Sequence, residues 1–397
     1  MNKMSVIDRF LRYVEFETTS NENSESIPST EKQTVLADYL VKELKSIGVS
    51  DAYRDKYGYV YGHIPATKGF EKLPKIGLIS HMDTSPDVSG KDVKAKIIKF
   101  DGTNAPMIDA KYSGEDIIVT DRTTLLGADD KAGVAEIVTA LEEIISSGMP
   151  HGDIWVGFTP DEEIGCGADL FDLDYFKAAF AYTVDGDYEG EVAYENFNAA
   201  SAKFSIKGVN VHPGEAKDIM VNAALVACDI QSQLPPEETP AHTEGRQGFY
   251  HLTDMKGDVA FAELSYIVRD HDRASFESRL NRLRTLEVEI NQKYGTGTVS
   301  LTITDSYSNM LEIIEQHPYV VDIAKKAISM TGLTPLSRPV RGGTDGARLS
   351  FMGLPCPNLG TGGYGFHGPY EHISVEGMQT AVSVIKNIVT IVAESDL

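Results

Sequence analysis

Short apolar segments that end in acidic or histidine residues recur along this chain and constrain its fold. Residues 75–80 (KIGLIS) and 153–159 (DIWVGFT) have the length and composition of buried parallel strands, and residues 179–186 (AFAYTVDG) are a further apolar stretch. Helical periodicity over 30–49 and 130–147 separates these segments. The alternation predicts an α/β fold with a mixed, largely parallel sheet flanked by helices.

The sequence pattern changes near residue 197 and predicts a smaller α+β domain. Alternating strands and amphipathic helices are expected there over 200–207, 217–234, 249–254, 260–269, 272–294 and 298–304. The Pro- and Gly-containing stretch 233–248 is the expected flexible loop. We therefore predict that one larger domain, formed by 1–196 and 309–397, is interrupted by a smaller inserted domain at 197–308.

Charge and composition exclude several kinds of partner. The 397 residues include 36 Lys and Arg against 59 Asp and Glu, a formal net charge of −23, which disfavours nucleic acids and anionic membrane surfaces. No apolar run approaches the ~18 residues of a membrane-spanning helix. The charged N-terminal segment is typical of an amphipathic helix, and three cysteines without a CxxC motif fit a reducing compartment. The expected location is the cytoplasm.

Candidate ligands lie where the predicted strands end. His81 follows the first strand, and Asp83 could hydrogen-bond the other ring nitrogen of that histidine. Asp129 and Asp130 precede a helix, where Asp130 is adequately explained as a helix cap and Asp129 could bridge two metal ions. Asp185 is another carboxylate at a strand end.

A run of carboxylates and a Gly-rich turn supply the remaining candidates. In the run 161–163, one glutamate could ligate a metal ion while its neighbour acts as general base, although a solvated acidic loop would have the same sequence. His367 and His372 in the Gly-rich turn are equally good ligands on chemistry alone. Two imidazoles with several carboxylates suit zinc, and a bridging carboxylate suggests two ions ~3.5–4 Å apart.

Seven motifs in order between residues 80 and 374 resemble the co-catalytic dizinc peptidase family that includes carboxypeptidase G and succinyl-diaminopimelate desuccinylase. They are SHMDTSP, LLGADDKAG, FTPDEEIG, TVDG, NVHPGEAKDIMVNA, RGGTDGA and GGYGFHGPYEHIS. The resemblance implies that His81 and Asp185 hold one ion, that Glu163 and His367 hold the other, and that Asp129 bridges both. It favours His367 over His372, because the family's last ligand lies four residues before an acidic residue, here Glu371.

The same resemblance implies further roles. Glu162 would be the general base, Asp83 would orient His81, and the Asp129–Asp130 peptide bond would be cis. The inserted domain would be a lid whose His212 helps stabilise the tetrahedral intermediate. Weaker candidates for holding the peptide ends, for which a guanidinium is suited by its bidentate geometry, are Arg269, Asn309, Arg341 and the backbone of Gly342 and Gly343.

The activity implied by this resemblance is that of a dizinc aminopeptidase that removes the N-terminal residue from tripeptides with a free N-terminus. Two Zn²⁺ per chain are expected, and Co²⁺ or Mn²⁺ would suit the same ligands. A dipeptidase, a carboxypeptidase or an N-acyl amino acid deacylase would share this site. A metal- or peptide-binding module without catalysis is the alternative of a different class, and the spare carboxylate of Glu162 argues against it. A homodimer is compatible with the resemblance.

Overall fold

The computed structural model describes residues 3–105 and 107–395, which divide into two compact units. The larger unit combines the chain up to Tyr194 with Met310–Arg338 and with the residues from Thr344 onwards. The smaller unit is formed by Glu195–Asn309 and Pro339–Gly343. In the described part of the chain, no helix is both long enough and apolar enough to span a bilayer.

Helices and strands alternate through both units. The helices are α1 (Val6–Tyr13), α2 (Lys32–Ile47), α3 (Ala128–Ser147), α4 (Ala223–Ser232), α5 (Arg273–Tyr294), α6 (Leu311–Ile314), α7 (Pro318–Ser329), α8 (Asp345–Phe351) and α9 (Val375–Ala393). The strands are β1 (Tyr53–Arg54), β2 (Val60–Ile64), β3 (Ile76–His81), β4 (Lys96–Lys99), β5 (Asp116–Val119), β6 (Ile154–Thr159), β7 (Phe180–Gly186), β8 (Val192–Ala193), β9 (Asn198–Lys207), β10 (Phe249–Gly257), β11 (Phe261–Asp270), β12 (Val299–Tyr307), β13 (Asn358–Gly360), β14 (Gly363–Tyr364) and β15 (His372–Ser374).

The larger unit is built on a mixed sheet with strand order β1-β2-β6-β3-β7-β13-β8. The four strands β6, β3, β7 and β13 are parallel, whereas β1, β2 and β8 pair antiparallel at the edges. The predicted α/β class with a mixed sheet is therefore confirmed, with its parallel part at the centre. In such a sheet, ligands bind beyond the carboxyl ends of the parallel strands.

Side chains of β3 alternate between two apolar layers, as expected of a strand covered on both faces. Leu78 packs in the layer that contains α3 and α9, whereas Ile79 packs among the aromatic side chains on the opposite face. Gly77 lets this second layer approach, because a Cβ there would lie 2.6 Å from the ring of Phe176. On the first face, a Cβ at Gly133 would overlap the carbonyl oxygen of Val184, so that only glycine lets α3 pack this closely on β7.

A second, antiparallel sheet in the larger unit has the order β14-β15-β5-β4. The sequence did not predict this sheet, because its strands are only two to four residues long. Its small apolar cluster contains Phe100, Tyr112 and Ile117. Strand β15 of this sheet directly follows the Gly-rich turn that carries His367.

The smaller unit has an antiparallel sheet with the order β10-β11-β9-β12 and a core shared with α4 and α5. Its α+β composition agrees with the sequence pattern, but the predicted helix over 217–234 is too long. Val221 pairs with Val209 in an isolated bridge, and the side chain of Asn222 then caps the backbone N–H of Leu225. Helix α4 therefore begins only at Ala223. The limits 197–308 and the role as a lid stay predictions.

Candidate metal centre

The candidate metal ligands of the larger unit lie together beyond the carboxyl ends of its central parallel strands. His81 is the last residue of β3, Glu163 follows β6, and Asp185 lies near the end of β7. These three strands are adjacent and parallel, so their carboxyl ends lie side by side. Asp129 lies in the irregular start of α3, and His367 lies in the turn between β14 and β15.

A first group of potential ligands forms around His81. Its Nε2 lies 2.9 Å from Oδ1 of Asp129 and 3.3 Å from Oδ1 of Asp185. The ligand atoms of these three residues lie within 4.8 Å of one another. Such a cluster of one imidazole and two carboxylates offers the nitrogen and oxygen donors that zinc prefers.

A second group forms around His367 and shares Asp129 with the first. Nε2 of His367 lies 2.9 Å from Oε2 of Glu163 and 3.3 Å from Oδ2 of Asp129. The two oxygens of the Asp129 carboxylate thus face different groups, Oδ1 the first and Oδ2 the second. This is the arrangement expected of a carboxylate that bridges two cations.

The other histidine of the Gly-rich turn is elsewhere. His372 is buried, its Nδ1 lies 2.9 Å from the carbonyl oxygen of Tyr370, and its ring stacks on Tyr364. Among the described residues, the two potential metal-binding groups include His367 and not His372. The geometry therefore favours the histidine that the resemblance selected.

Asp83 is fully buried and connects two of the motifs. Its Oδ1 lies 3.3 Å from Nδ1 of His81 and accepts the backbone N–H of Glu162 at 3.0 Å. Its Oδ2 accepts the backbone N–H of Glu163 at 3.2 Å. The carboxylate therefore fixes the backbone of both glutamates and lies beside the ring of His81, whose Nδ1 also lies 3.1 Å from the backbone carbonyl oxygen of Asp83.

Asp161, which the sequence analysis gave no role, anchors the same turn from the other side. It has a left-handed backbone (φ 58°), an uncommon conformation for a residue with a side chain. Its buried carboxylate accepts bonds from the backbone N–H and hydroxyl of Ser29 (2.6 and 2.5 Å) and from the amide of Gln33 (2.6 Å). The residues before and within α2 thus hold the turn that carries Glu162.

The side chain of Glu162 lies among other carboxylates. Burial raises the pKa of Glu162 well above its ordinary value, and the charges of Asp185, Asp345 and Glu163 add to this rise against the opposing effect of His81. Asp345, in the motif RGGTDGA, was missed by the sequence analysis. It is buried and accepts a 2.7 Å hydrogen bond from the hydroxyl of Thr159 at the end of β6. A carboxyl with a raised pKa is suited to exchange protons near neutral pH.

The shifted pKa values of the potential ligands indicate a site that needs compensating positive charge. Burial raises the pKa of Asp185 to about 7 and that of Glu163 to about 7. Hydrogen bonds with Asp129 and Glu163 raise the pKa of His367 to about 11. Without cations, these buried carboxylates depend on protonated histidines for charge compensation.

The Asp129–Asp130 peptide bond is cis, as the resemblance implied. Asp130 belongs to neither ligand group, and its carboxylate accepts the hydroxyl of Ser80 and the backbone N–H of His81 (3.2 Å). Asp87, another residue that the sequence analysis did not single out, places Oδ2 3.3 Å from Nδ1 of His367. As in the pair of Asp83 and His81, a carboxylate oxygen lies 3.3 Å from Nδ1 of the histidine, but Asp87 is exposed whereas Asp83 is buried.

The predicted substrate-binding residues all belong to the smaller unit. His212 is exposed, and its Nδ1 accepts the backbone N–H of Gly214. Asn309 donates to the carbonyl oxygen of His271 at 3.1 Å. Arg269 donates to the carbonyl oxygen of Arg341 at 3.1 Å.

The guanidinium of Arg341 holds the predicted flexible loop, donating to the carbonyl oxygens of Gly245 and Gln247 at 2.8 and 3.1 Å. Gly343 lies against the ring of Tyr307, where a Cβ would be 2.7 Å away, and a Cβ at Gly342 would meet open space. The substrate-binding roles of these residues stay predictions.

Comparison with known proteins defines the class of the chain. The sequence model of peptidase family M20/M25/M40 matches residues 121–390, more than half of the chain. The chain therefore belongs to this peptidase family. It is 52% identical to Peptidase T of Clostridium perfringens, over 98% of this chain and 99% of that protein. It is 50% identical to Peptidase T of Halothermothrix orenii over the same shares of the two chains.

Solved structures share the fold at lower sequence identity. The aminopeptidase PepT of Bacillus cereus superimposes with a TM-score of 0.81 at 24% identity, over 99% of this chain and 100% of that one. A tripeptidase of Staphylococcus aureus gives the same TM-score and identity over the full length of both chains. A dinuclear metal-binding M20 peptidase of Bacillus subtilis gives 0.68 at 15% identity, over 98% of each chain.

Proposed function

We propose that this chain is a metal-dependent aminopeptidase that removes the N-terminal residue from tripeptides. The observation that carries the proposal is the shared position of Asp129, whose two carboxylate oxygens face two separate groups of potential ligands. A peptidase needs an activated water and a means of stabilising charge on the scissile carbonyl oxygen, and a pair of divalent cations supplies both.

The donor set fits two zinc ions. His81 and Asp185 would hold one ion, Glu163 and His367 the other, and Asp129 would bridge them. Neutral imidazole and carboxylate are both ligands that zinc accepts. In each group, Nε2 of the histidine faces an oxygen of Asp129, and this nitrogen could bind an ion once its proton is removed. The Bacillus subtilis relative described as dinuclear has the same fold, which supports the number of ions.

Within this site, the chain's own residues perform the proton transfers. Bound cations would lower the pKa of a water molecule and polarise the scissile carbonyl. Glu162 would accept the proton of the attacking water and return it to the leaving amine. Asp83 and Asp161 would hold the turn on which Glu162 lies, so that its carboxylate remains positioned during both transfers.

The names of similar proteins support the substrate class. The relatives that are about half identical over nearly the whole chain are Peptidase T enzymes. The two structures with a TM-score of 0.81 are described as an aminopeptidase and a tripeptidase. Short peptides with a free N-terminus, and tripeptides above others, are therefore the proposed substrates.

A peptide panel tests this proposal. The zinc-loaded protein is incubated with Ala-Gly-Gly, its N-acetylated form, a dipeptide, a tetrapeptide and an N-acyl amino acid, and the released amino acids are identified. We expect free alanine from the unblocked tripeptide and little cleavage of the other compounds.

Other outcomes separate the alternatives. Preferential cleavage of the dipeptide indicates a dipeptidase, release of the C-terminal residue indicates a carboxypeptidase, and cleavage of the N-acyl amino acid indicates a deacylase. No cleavage of any compound by protein that holds zinc favours a binding module.

A further inference from the structure

Glu371 makes a set of contacts that the metal ligands and the general base do not explain. Its buried carboxylate accepts three backbone N–H groups of one loop: Oε2 accepts those of Leu126 and Gly127 at 2.6 and 2.8 Å, and Oε1 accepts that of Asp129 at 3.0 Å. The last of these donors belongs to the residue proposed to bridge the two ions. In the sequence, Glu371 is only the acidic residue that lies four positions after His367.

This loop needs an acceptor from elsewhere in the chain. Gly127 has a left-handed backbone (φ 80°), and Asp129 has φ −83° and ψ 102°, far from helical values. The N–H groups of 126, 127 and 129 therefore lie outside the regular hydrogen bonding of α3. Buried N–H groups without an acceptor are rare because they are costly, and the carboxylate of Glu371 satisfies all three at once.

Glu371 also lies four residues after His367, and its own backbone is fixed on the C-terminal side. The next residue, His372, begins β15 and pairs with Val119 in β5. One side chain thus connects the segment that carries His367 to the loop that carries Asp129. The separation of Asp129 and His367, 3.3 Å between Oδ2 and Nε2, is one of the distances that define the second ligand group.

We propose that Glu371 is a positioning residue that sets the separation of Asp129 and His367 and thereby holds the second of the two metal ions. The inference rests on the two-ion site proposed above. The first ion should depend less on Glu371, because two of its ligands, His81 and Asp185, lie on the strand ends of the central sheet and only the bridging Asp129 contacts Glu371.

Glu371→Gln is the direct test. Glutamine fills nearly the same volume but replaces one acceptor oxygen with an NH₂ donor, which faces N–H groups that also donate. Metal-free protein is titrated with zinc in equilibrium dialysis, and the two stepwise affinities are compared with those of the unmodified chain. We expect one ion, the one that Glu163→Gln also weakens, to lose about ten- to hundredfold in affinity, and the other ion to lose less.

Glu376→Gln is the matched control. Glu376 also accepts a backbone N–H, that of Asp116 at 3.1 Å, but no group of the loop that carries Asp129. Both variants can lower the melting temperature, whereas only Glu371→Gln should alter zinc affinity. In addition, Glu163→Gln should weaken the same ion, and the double variant Glu163→Gln/Glu371→Gln should lose less than the sum of the two single losses.

Distinct results overturn the inference and the proposed function. If the unmodified chain binds two zinc ions and Glu371→Gln binds both with unchanged affinities, or loses both equally, Glu371 has only a structural role. If the unmodified chain never binds a second ion, the two-ion site fails and this inference fails with it. Should Glu371→Gln not fold, Glu371→Asp keeps the charge with a shorter reach, and unchanged affinities in that variant overturn the inference equally.

Discussion

The Asp83 carboxylate accepts the backbone N–H of Glu162 at 3.0 Å. The same Oδ1 lies 3.3 Å from Nδ1 of His81, so one buried group lies against both a proposed metal ligand and the turn of the proposed general base. The two motifs are about eighty residues apart in sequence and adjacent in the sheet, because β3 and β6 are parallel neighbours. The position of the proposed ligand is therefore coupled to that of the proposed base in this fold.

Asp83→Asn should weaken both functions of this carboxylate. An amide has one acceptor oxygen and one donor group, so it cannot accept the N–H groups of Glu162 and Glu163 on two separate oxygens, and it removes the negative charge beside His81. We expect kcat/KM to fall about 10–100-fold together with a loss of zinc affinity. Steady-state kinetics at saturating zinc, with metal content measured on the same sample, checks this. Unchanged kinetics and metal content would show that Asp83 positions neither group.

Glu162→Gln and Glu163→Gln form a pair of neighbouring substitutions with different expected results. Glu162→Gln should keep both zinc ions and lose about 10²–10⁴-fold in kcat, because it removes the proton acceptor alone. Glu163→Gln should lose one ion, since Oε2 of Glu163 lies 2.9 Å from Nε2 of His367 in the second group. Elemental analysis and peptide hydrolysis on both variants separate the two roles. Near-normal turnover by Glu162→Gln would exclude it as the general base.

Gln33→Ala tests the anchor of the acidic turn. It removes a 2.6 Å hydrogen bond to the buried carboxylate of Asp161 and the 3.2 Å bond that its own amide oxygen accepts from the backbone of Asp161. Loss of a partner for a buried group costs about 1–3 kcal/mol of unfolding free energy. Urea denaturation measures this. Gln316→Ala, which removes an exposed bond to the carbonyl oxygen of Glu312, should change stability by no more than about 0.5 kcal/mol.

A lowered kcat in Gln33→Ala with unchanged zinc content would show that the anchor acts on the turn of Glu162. If Gln33→Ala is no less stable than Gln316→Ala, the hydrogen bonds between Gln33 and Asp161 make no measurable contribution to the free energy of unfolding.

The metal-free protein should lose stability as the pH rises. Burial raises the pKa of Glu163 and Asp185 to about 7, and hydrogen bonds with Asp129 and Glu163 raise the pKa of His367 to about 11. Each group binds its proton more tightly in the folded chain than in the unfolded one. Its contribution is therefore complete below its ordinary pKa, and it is lost as the pH rises through the folded-state value.

For the two carboxyl groups the loss falls between about pH 4 and 7, and for His367 between about pH 6.5 and 11. Thermal unfolding of chelator-treated protein should show a lower melting temperature at pH 9 than at pH 6. The zinc-loaded protein should show a smaller decrease, because bound cations replace the protons. A melting temperature of the chelated protein that rises over this interval would contradict this view of the site.

Much of the candidate metal centre could be predicted, because several of its residues are close in sequence to strand ends. Apolar segments before His81, Asp161 and Asp185 revealed buried strands, and parallel neighbours bring their ends together. Asp129 and His367 were harder to recognise, since one precedes a helix and the other lies in a Gly-rich turn. Their proposed roles came from the family resemblance, and both residues lie in the groups of potential ligands.

The supporting residues could not be predicted, because long-range contacts define them. Gln33 and Ser29 precede their partner Asp161 by more than a hundred residues, and Glu371 follows the loop of Asp129 by more than two hundred. Polar residues of this kind look like ordinary surface positions until the fold brings them together. The short strands β4, β5, β14 and β15 were missed for a different reason, because segments of two to four residues show no periodicity.

A zinc titration of the metal-free chain tests the account most directly. The release of the N-terminal residue from Ala-Gly-Gly is measured as zinc is added, with N-acetylated Ala-Gly-Gly as control substrate. Because Asp129 faces both ligand groups, we predict that activity rises to a plateau at two ions per chain and that the blocked peptide stays intact. Full activity in the presence of chelator, or a plateau at one ion per chain, would contradict the central claim.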